Sequence, residues 1–485
     1  MAVRIKRYRL LYAAAVTATI VGLAAFACLF LTTGVASAQS GETGLAGIWL
    51  GTLVPEPSVE LRVAVTLSES DDGALSGTLR SIDQSSPDIP LDVVDYSNGT
   101  LILEITSIGM VIEGSLNEES GTLDCRFRQN GASFPLVFSR VDAIPTFDRP
   151  QTPEKPYPYI EEEVTFRNED ADVTLAGTLT IPRTGGPFPA VILLTGSGQQ
   201  NRDEEVFGHR PFLVLADYLT RRGIAVLRCD DRGMGGSTGN FGVSTSGDFA
   251  DDALAGVAFL KTREEIDPGK IGLIGHSEGG DIAPLAATRS SDVAFIVMMA
   301  GQGQAFSDVV IFQQTLAYKD AGTSEEDIAL RNSWHKRLYD IVGSDLDNDA
   351  AADAIRELFA TLSAEEQQRL GLTAEQLEKD IPTELRPWWR YYMGLDTESV
   401  LRRVRCPVLA INGGKDMQVN AAENLPIIEK ALRDGGNPDY TVKELPGLNH
   451  LFQTAETGYS TEYATIEETM SPTVLELIGD WVLAR

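Results

Sequence analysis

Cysteine is scarce in this 485-residue chain: there are four, and none forms a Cys-x-x-Cys pair. That excludes a disulfide framework and a thiolate zinc site. Cys125, Cys229 and Cys406 read instead as small buried apolar residues. Positive charge is also short, with 40 Lys and Arg against 70 Asp and Glu. Four of the basic residues (Arg4, Lys6, Arg7 and Arg9) fall in the first 38, which hold no acid, so the remainder carries 36 against 70, a net of −34. A chain this acidic is not a nucleic-acid binder, because phosphate recognition needs clustered Lys and Arg. Its surface favours solubility and cationic rather than anionic ligands. Histidine is equally sparse. His209, His276, His335 and His450 are the only four, and any chemistry that needs an imidazole must use one of them. No metal and no organic cofactor is predicted.

What is present divides the chain. Residues 1–38 begin basic, run apolar from Leu10 to about Leu31 and close on Ala36-Ser37-Ala38. This is the pattern of a signal peptide cut after Ala38, and it predicts an exported protein, periplasmic or extracellular. Left uncleaved, residues 10–31 are long enough to anchor the chain in a bilayer. Ala25-Phe26-Ala27-Cys28 makes a poor lipoprotein box. Over 44–142, short β-prone runs are separated by the turn dipeptides Asp72-Gly73, Asn98-Gly99, Ser120-Gly121 and Asn130-Gly131, which mark hairpins. Gly-Thr-Leu recurs at 51, 77, 99 and 121, the last three 22 residues apart. The segment reads as a small all-β N-terminal domain, barrel or sandwich. Five prolines at 145, 150, 153, 156 and 158 make 143–159 a linker. In 160–302 and 403–485, apolar strands alternate with amphipathic helices, the signature of a parallel α/β sheet buried on both faces. The intervening 303–402, rich in Ala, Glu, Leu and Asp at helical spacing, reads as a helical cap.

Gly-x-Ser-x-Gly occurs twice, around Ser237 and Ser277, although composition alone produces roughly 0.3 such matches in a chain of this kind. Context separates the two. Ser237 lies several residues past the strand IAVLRC with no helix directly behind it. Ser277 in IGLIGHSEGGDIA (271–283) follows a strand and precedes a helix, the arrangement of a nucleophile elbow, in which Gly275 and Gly279 permit the sharp turn. The simpler explanation, a serine capping a helix, needs no further partners.

A serine nucleophile does need them: a histidine base, an acid to orient it, and backbone donors for the oxyanion. His276 is next to Ser277 and should point away from it, His209 is near an early loop, and His335 lies in a charged helical stretch. That leaves His450, on the loop after the strand YTVKELP, where catalytic residues of open α/β sheets collect. Asp416, on the loop after PVLAING and ahead of His450, is the predicted acid. One oxyanion donor should be the N–H of Glu278. The other should come from the loop Thr195-Gly196-Ser197-Gly198-Gln199, at Ser197 or its neighbour Gly198. On this reading the value of Glu278 to catalysis lies in its backbone N–H, and Glu278→Gln should be far milder than Ser277→Ala. Trp388, Trp389 and Tyr392 either line an acyl pocket or pack the cap's own core.

GSGQQNRDE (196–204), DDRGMGGSTG (230–239), DPGKIGLIGHSEGG (267–280) and PVLAINGGKDMQV (407–419), in that order, resemble the α/β-hydrolase superfamily, closest to its dienelactone-hydrolase-like and serine-aminopeptidase-like carboxylesterases. The resemblance covers about 165–485. It implies an α/β-hydrolase fold with a helical cap insertion, Ser277 as nucleophile, Asp416 as acid and His450 as base, and a small-molecule ester as substrate. Many relatives have His-Gly where this chain has Thr195-Gly196. Two alternatives stay open: an aminopeptidase or other acyl hydrolase using the same triad, and an envelope binding protein whose β-domain does the work while the hydrolase domain is silent. Oligomeric state is not legible.

Overall fold

The computed structural model describes residues 44–485 apart from 57–58, 83–87, 130–131 and 147. The signal segment 1–38, the anchor 10–31 and the turn Asn130-Gly131 lie outside the described residues. The chain divides into two compact units, one up to Asp148 and one from Arg149 onward, residues 206–208 apart.

The first unit is a single antiparallel sheet. Its strands are β1 (Gly47–Glu56), β2 (Val59–Glu69), β3 (Leu75–Ser81), β4 (Ile89–Pro90), β5 (Val93–Ser97), β6 (Thr100–Ile105), β7 (Met110–Asn117), β8 (Thr122–Gln129) and β9 (Ala132–Val141), in the spatial order β4-β3-β2-β1-β9-β8-β7-β6-β5. Near its two ends β3 touches β5, so the sheet curls into a half-barrel instead of stacking as a sandwich. Asn98 and Gly99, both at positive φ, close the two-residue β5–β6 hairpin. The Gly-Thr-Leu repeat has a packing reason: Leu53, Leu79, Leu101 and Leu123 all enter the same core, with Trp49 and Phe138.

The second unit carries an eight-stranded sheet: β10 (Ile160–Asn168), β11 (Val173–Ile181), β12 (Phe188–Leu194), β13 (Ala225–Cys229), β14 (Ile266–His276), β15 (Phe295–Met299), β16 (Val408–Gly413) and β17 (Tyr440–Leu445), ordered β10-β11-β13-β12-β14-β15-β16-β17. The six strands β12 to β17 run parallel. Side chains alternate between two cores, as the period of a strand requires. Ile192, Leu273, Ile296 and Ala410 enter one core with helices Ser246–Leu260, Glu278–Arg289 and Ala421–Asp434; Val191, Ile274, Val297 and Leu409 enter the other with Pro211–Arg221 and Pro472–Leu483. This is the α/β-hydrolase arrangement. The chain order reverses at β12, which lies between β13 and β14. The loops after β12 and β14 therefore emerge side by side at the carboxyl edge, where such sheets bind ligands.

Between β15 and β16 run helices Phe306–Asp320, Glu325–Val342, Asn348–Ala360, Ala364–Leu370, Ala374–Glu384, Pro387–Met393 and Thr397–Leu401. Side-chain caps from Ser324, Asp347, Ser363 and Thr373 start four of them. The insertion has its own aromatic core, with Phe306, Trp334, Tyr339 and Tyr392.

Candidate active site

β14 ends at His276, the helix starts at Glu278, and Ser277 between them has φ 53° and ψ −117°. That conformation is strained for a residue with a Cβ. The turn closes because the residues two before and two after it, Gly275 and Gly279, have none. A Cβ on Gly275 would meet the Gly279 carbonyl oxygen at 1.9 Å, and one on Gly279 would meet that of Leu194 at 2.1 Å. Ser277 N–H donates to the Met299 carbonyl on β15 at 2.8 Å, pinning the turn to the sheet and leaving the serine side chain beyond the strand end.

Asp416 and His450 arrive from the loops after β16 and β17 and meet at 2.7 Å through Asp416 Oδ2 and His450 Nδ1. Asp416 Oδ1 accepts from the backbone N–H groups of Gln418 and Val419, both at 2.8 Å, which fixes the carboxylate. A carboxylate facing Nδ1 places the proton there and leaves Nε2 as the basic nitrogen. The His450 loop is tied down: Asn449 Oδ1 accepts from Leu451 N–H and Gln453 N–H, and Gln453 Nε2 donates to the Glu468 carbonyl.

The loop after β12 lies against the elbow, with Gly196 so close that a Cβ there would come within 3.2 Å of Ser277 Cβ. Ser197 lies on this loop and hydrogen-bonds the Glu278 side chain. Glu278 is 2 % exposed, and its carboxylate also accepts from Ser246 Oγ at 2.6 Å and Trp388 Nε1 at 2.8 Å. The carboxylate thus has contacts beyond its backbone: it joins the elbow, the β12 loop and the helical insertion. Burial raises its carboxyl above the ordinary value, against the pull of those three donors. Asp281, one turn on, is pushed up to about 7 by burial and accepts from Tyr392 OH and from Gln302 N–H at 2.9 Å.

Of the three aromatic residues singled out in the insertion, Trp388 reaches the elbow, Trp389 donates to Glu384 Oε2 at 2.9 Å, and Tyr392 is 1 % exposed and stacks on Phe306 at 3.9 Å. Tyr392 thus belongs to the insertion's core and to the Asp281 contact, not to an open wall. Ser237 has no open hydroxyl either: its Oγ donates to the Asp230 carbonyl at 2.8 Å and accepts from Ala176 N–H at 2.9 Å.

Residues 170–433 match the family described as X-Pro dipeptidyl-peptidase (S15 family). The chain belongs to that family. The S15 match begins in the β10–β11 hairpin and includes Ser277 and Asp416, while His450 lies beyond its end. This S15-family chain is also 26 % identical to Esterase EstD of Thermotoga maritima over 370 residues, 72 % of this chain and 79 % of that protein. Among solved structures it resembles the Pyrococcus furiosus esterase Pf2001, at 16 % identity and a TM-score of 0.40, over 70 % of this chain and 98 % of that one. It also resembles Est1E of Butyrivibrio proteoclasticus with ferulic acid bound, at 16 % identity and 0.38, over 66 % and 98 %. The S15-family chain is an enzyme, a hydrolase of the α/β-hydrolase superfamily.

Two residues at the site escaped the sequence reading. His276 donates from one ring nitrogen to the His450 carbonyl at 2.9 Å and faces Glu204 Oε1 with the other at 3.0 Å. Their 72-residue separation gives no spacing signal. Asp231, whose carboxyl burial pushes up to about 8, accepts from Thr195 Oγ1 at 2.9 Å and Gln200 N–H at 2.7 Å, and so fastens the β12 loop from the other side.

Proposed function

We propose that the protein is a serine carboxylesterase acting through an acyl-enzyme with Ser277 as nucleophile, His450 as base and Asp416 as the residue that orients the base. One observation carries this reading: the Asp416–His450 pair and the strained Ser277 turn converge on the same carboxyl edge of the sheet. His450 Nε2 takes the Ser277 proton as Oγ attacks the ester carbonyl carbon, and Asp416 stabilises the imidazolium that forms. The oxyanion is held by backbone N–H groups of Glu278 and Ser197. The Glu278 N–H opens a helix and has no acceptor within it, and the helix N-terminus favours negative charge there. Collapse expels the alcohol with the proton from His450. Water, deprotonated by the same imidazole, then cleaves the acyl-enzyme to release the acid. The insertion acts as a cap, held to the elbow through Trp388 and Tyr392.

Family membership favours a second reading, cleavage of an X-Pro peptide by the same triad. Comparing kcat/KM on p-nitrophenyl butyrate and on Ala-Pro-p-nitroanilide separates them; the ester should be cleaved faster, and a preference for the anilide reverses the order. Labelling of Ser277 by a fluorophosphonate is required by both, and its absence sinks both. Export is part of the proposal, tested by whether the secreted chain begins at Gln39.

A further inference from the structure

The buried contacts of His276 restrict where its protons lie. A backbone carbonyl has none to give, so the nitrogen facing the His450 oxygen, Nε2, carries a hydrogen. Nδ1 faces Glu204 Oε1, which already accepts the Gly196 N–H at 2.8 Å. A hydrogen on Nδ1 as well makes the ring an imidazolium, the form that a carboxylate beside it favours. Burial works against a charged ring here, and the charge and hydrogen bond of Glu204 overcome it, raising the affinity of His276 for its second proton. Glu204 is held at φ 52°, and both side chains are buried.

These three contacts form one chain: Gly196 N–H to Glu204, Glu204 to His276, His276 to the His450 carbonyl. Its two ends are the loop that carries the oxyanion donor and the loop that carries the base. His276 is itself the residue before Ser277, and its ring lies 4.8 Å from that of His450, centroid to centroid. We propose that Glu204 and His276 are a pair of positioning residues that tie the oxyanion loop to the base loop, so that oxyanion donor and base keep one register about Ser277. Neither side chain touches the reacting atoms. The inference rests on Ser277 and His450 acting as nucleophile and base. The other charged groups around the pair are Asp416, on the far side of His450, and Asp231, on the far side of the β12 loop.

A tie of this kind acts on orientation, not on substrate affinity. Glu204→Gln keeps the shape and removes the ion pair; His276→Gln removes the ring that contacts Glu204 and His450 together. Each should lower kcat on p-nitrophenyl butyrate on the order of 10²-fold, the scale of a small misplacement of reacting groups, with KM little changed. The chain has four histidines, so ring ¹⁵N resonances can be assigned by single replacements. In a pH titration the ring assigned to His276, by its loss in His276→Gln, should hold its second proton to higher pH than a free imidazole, and Glu204→Gln should move that midpoint down. Should Glu204→Gln not fold, the wild-type spectrum and His276→Gln decide. A His276 midpoint at or below that of a free imidazole, or wild-type kcat in both folded variants while Ser277→Ala is inactive, overturns the pair. Full activity in Ser277→Ala overturns the nucleophile reading instead, and the role of the pair with it.

Discussion

The chain contains the same five-residue pattern twice, and the two copies have opposite fates. Around Ser277 the glycines serve close approach: backbone passes backbone where any Cβ would collide, and the serine sits in a strained turn at the end of β14 with its side chain past the sheet. Around Ser237 the glycines serve a loop closed by polar side chains. Arg202 pairs with Asp230 at 2.7 Å, Arg232 pairs with Asp252 at 2.6 Å, and the Ser237 hydroxyl is bonded as donor and acceptor to backbone. A hydroxyl with two buried partners is structural. A hydroxyl left beyond a strand end, with an Asp–His pair delivered to the same edge, is the one we propose as nucleophile.

Replacement of each serine by alanine breaks this comparison most directly. Ser277→Ala should lose on the order of 10⁴- to 10⁶-fold in kcat, while Ser237→Ala should keep the kcat of the folded enzyme and lose about 1–3 kcal/mol of stability, because Ala176 N–H is left buried without its acceptor. Ester turnover and urea unfolding on both variants check it; similar losses of turnover would end the distinction. Asp416→Asn should cost on the order of 10⁴-fold in kcat by presenting the wrong histidine tautomer, seen in the same assay with the fold intact by circular dichroism. A smaller loss, roughly 10- to 100-fold, is expected for Glu278→Gln, since an amide keeps the one oxygen that takes Ser246 and Trp388 but weakens both bonds and puts donors where a second acceptor stood. Wild-type turnover would return Glu278 to a purely backbone role.

The smallest effect concerns Asp231, which belongs to the Ser237 loop but bonds Thr195 at the end of β12. Its carboxyl rises from 3.8 to about 8 through burial. Between those values the folded chain keeps a proton that the unfolded chain has released, so this group's contribution to stability falls as pH rises through that window. Melting temperature should therefore decline less between pH 5 and pH 8 in Asp231→Asn than in the wild type. Equal declines would place the Asp231 proton elsewhere.

Much of the hydrolase unit could be read from periodicity. AVILLT at 190–195 is the strand Phe188–Leu194, and PFLVLADYLTRRG is the helix Pro211–Arg221. Uninterrupted apolar strands follow from burial on both faces, and one face per core appears in the structure. The turn dipeptides located hairpins for a local reason, since positive φ is written in Asn and Gly themselves. The choice between barrel and sandwich was not legible, because how far a sheet curls depends on contacts between strands distant in sequence. The same limit hid the Glu204–His276 contact and the partners of the Glu278 carboxylate.

By itself, then, the sequence of this protein determined the elements and their order, and it marked Ser277, Asp416 and His450 as candidates. Those signals are local: strand period, turn residues and the loop that follows each strand. Only the tertiary structure decided that Ser237 is bonded shut, that Glu278 joins three segments and that His276 links two loops. Each of these depends on which side chain a buried hydrogen-bonding group meets across the sheet edge. Burial makes every such group find a partner, but the partner's place in the chain is set by topology.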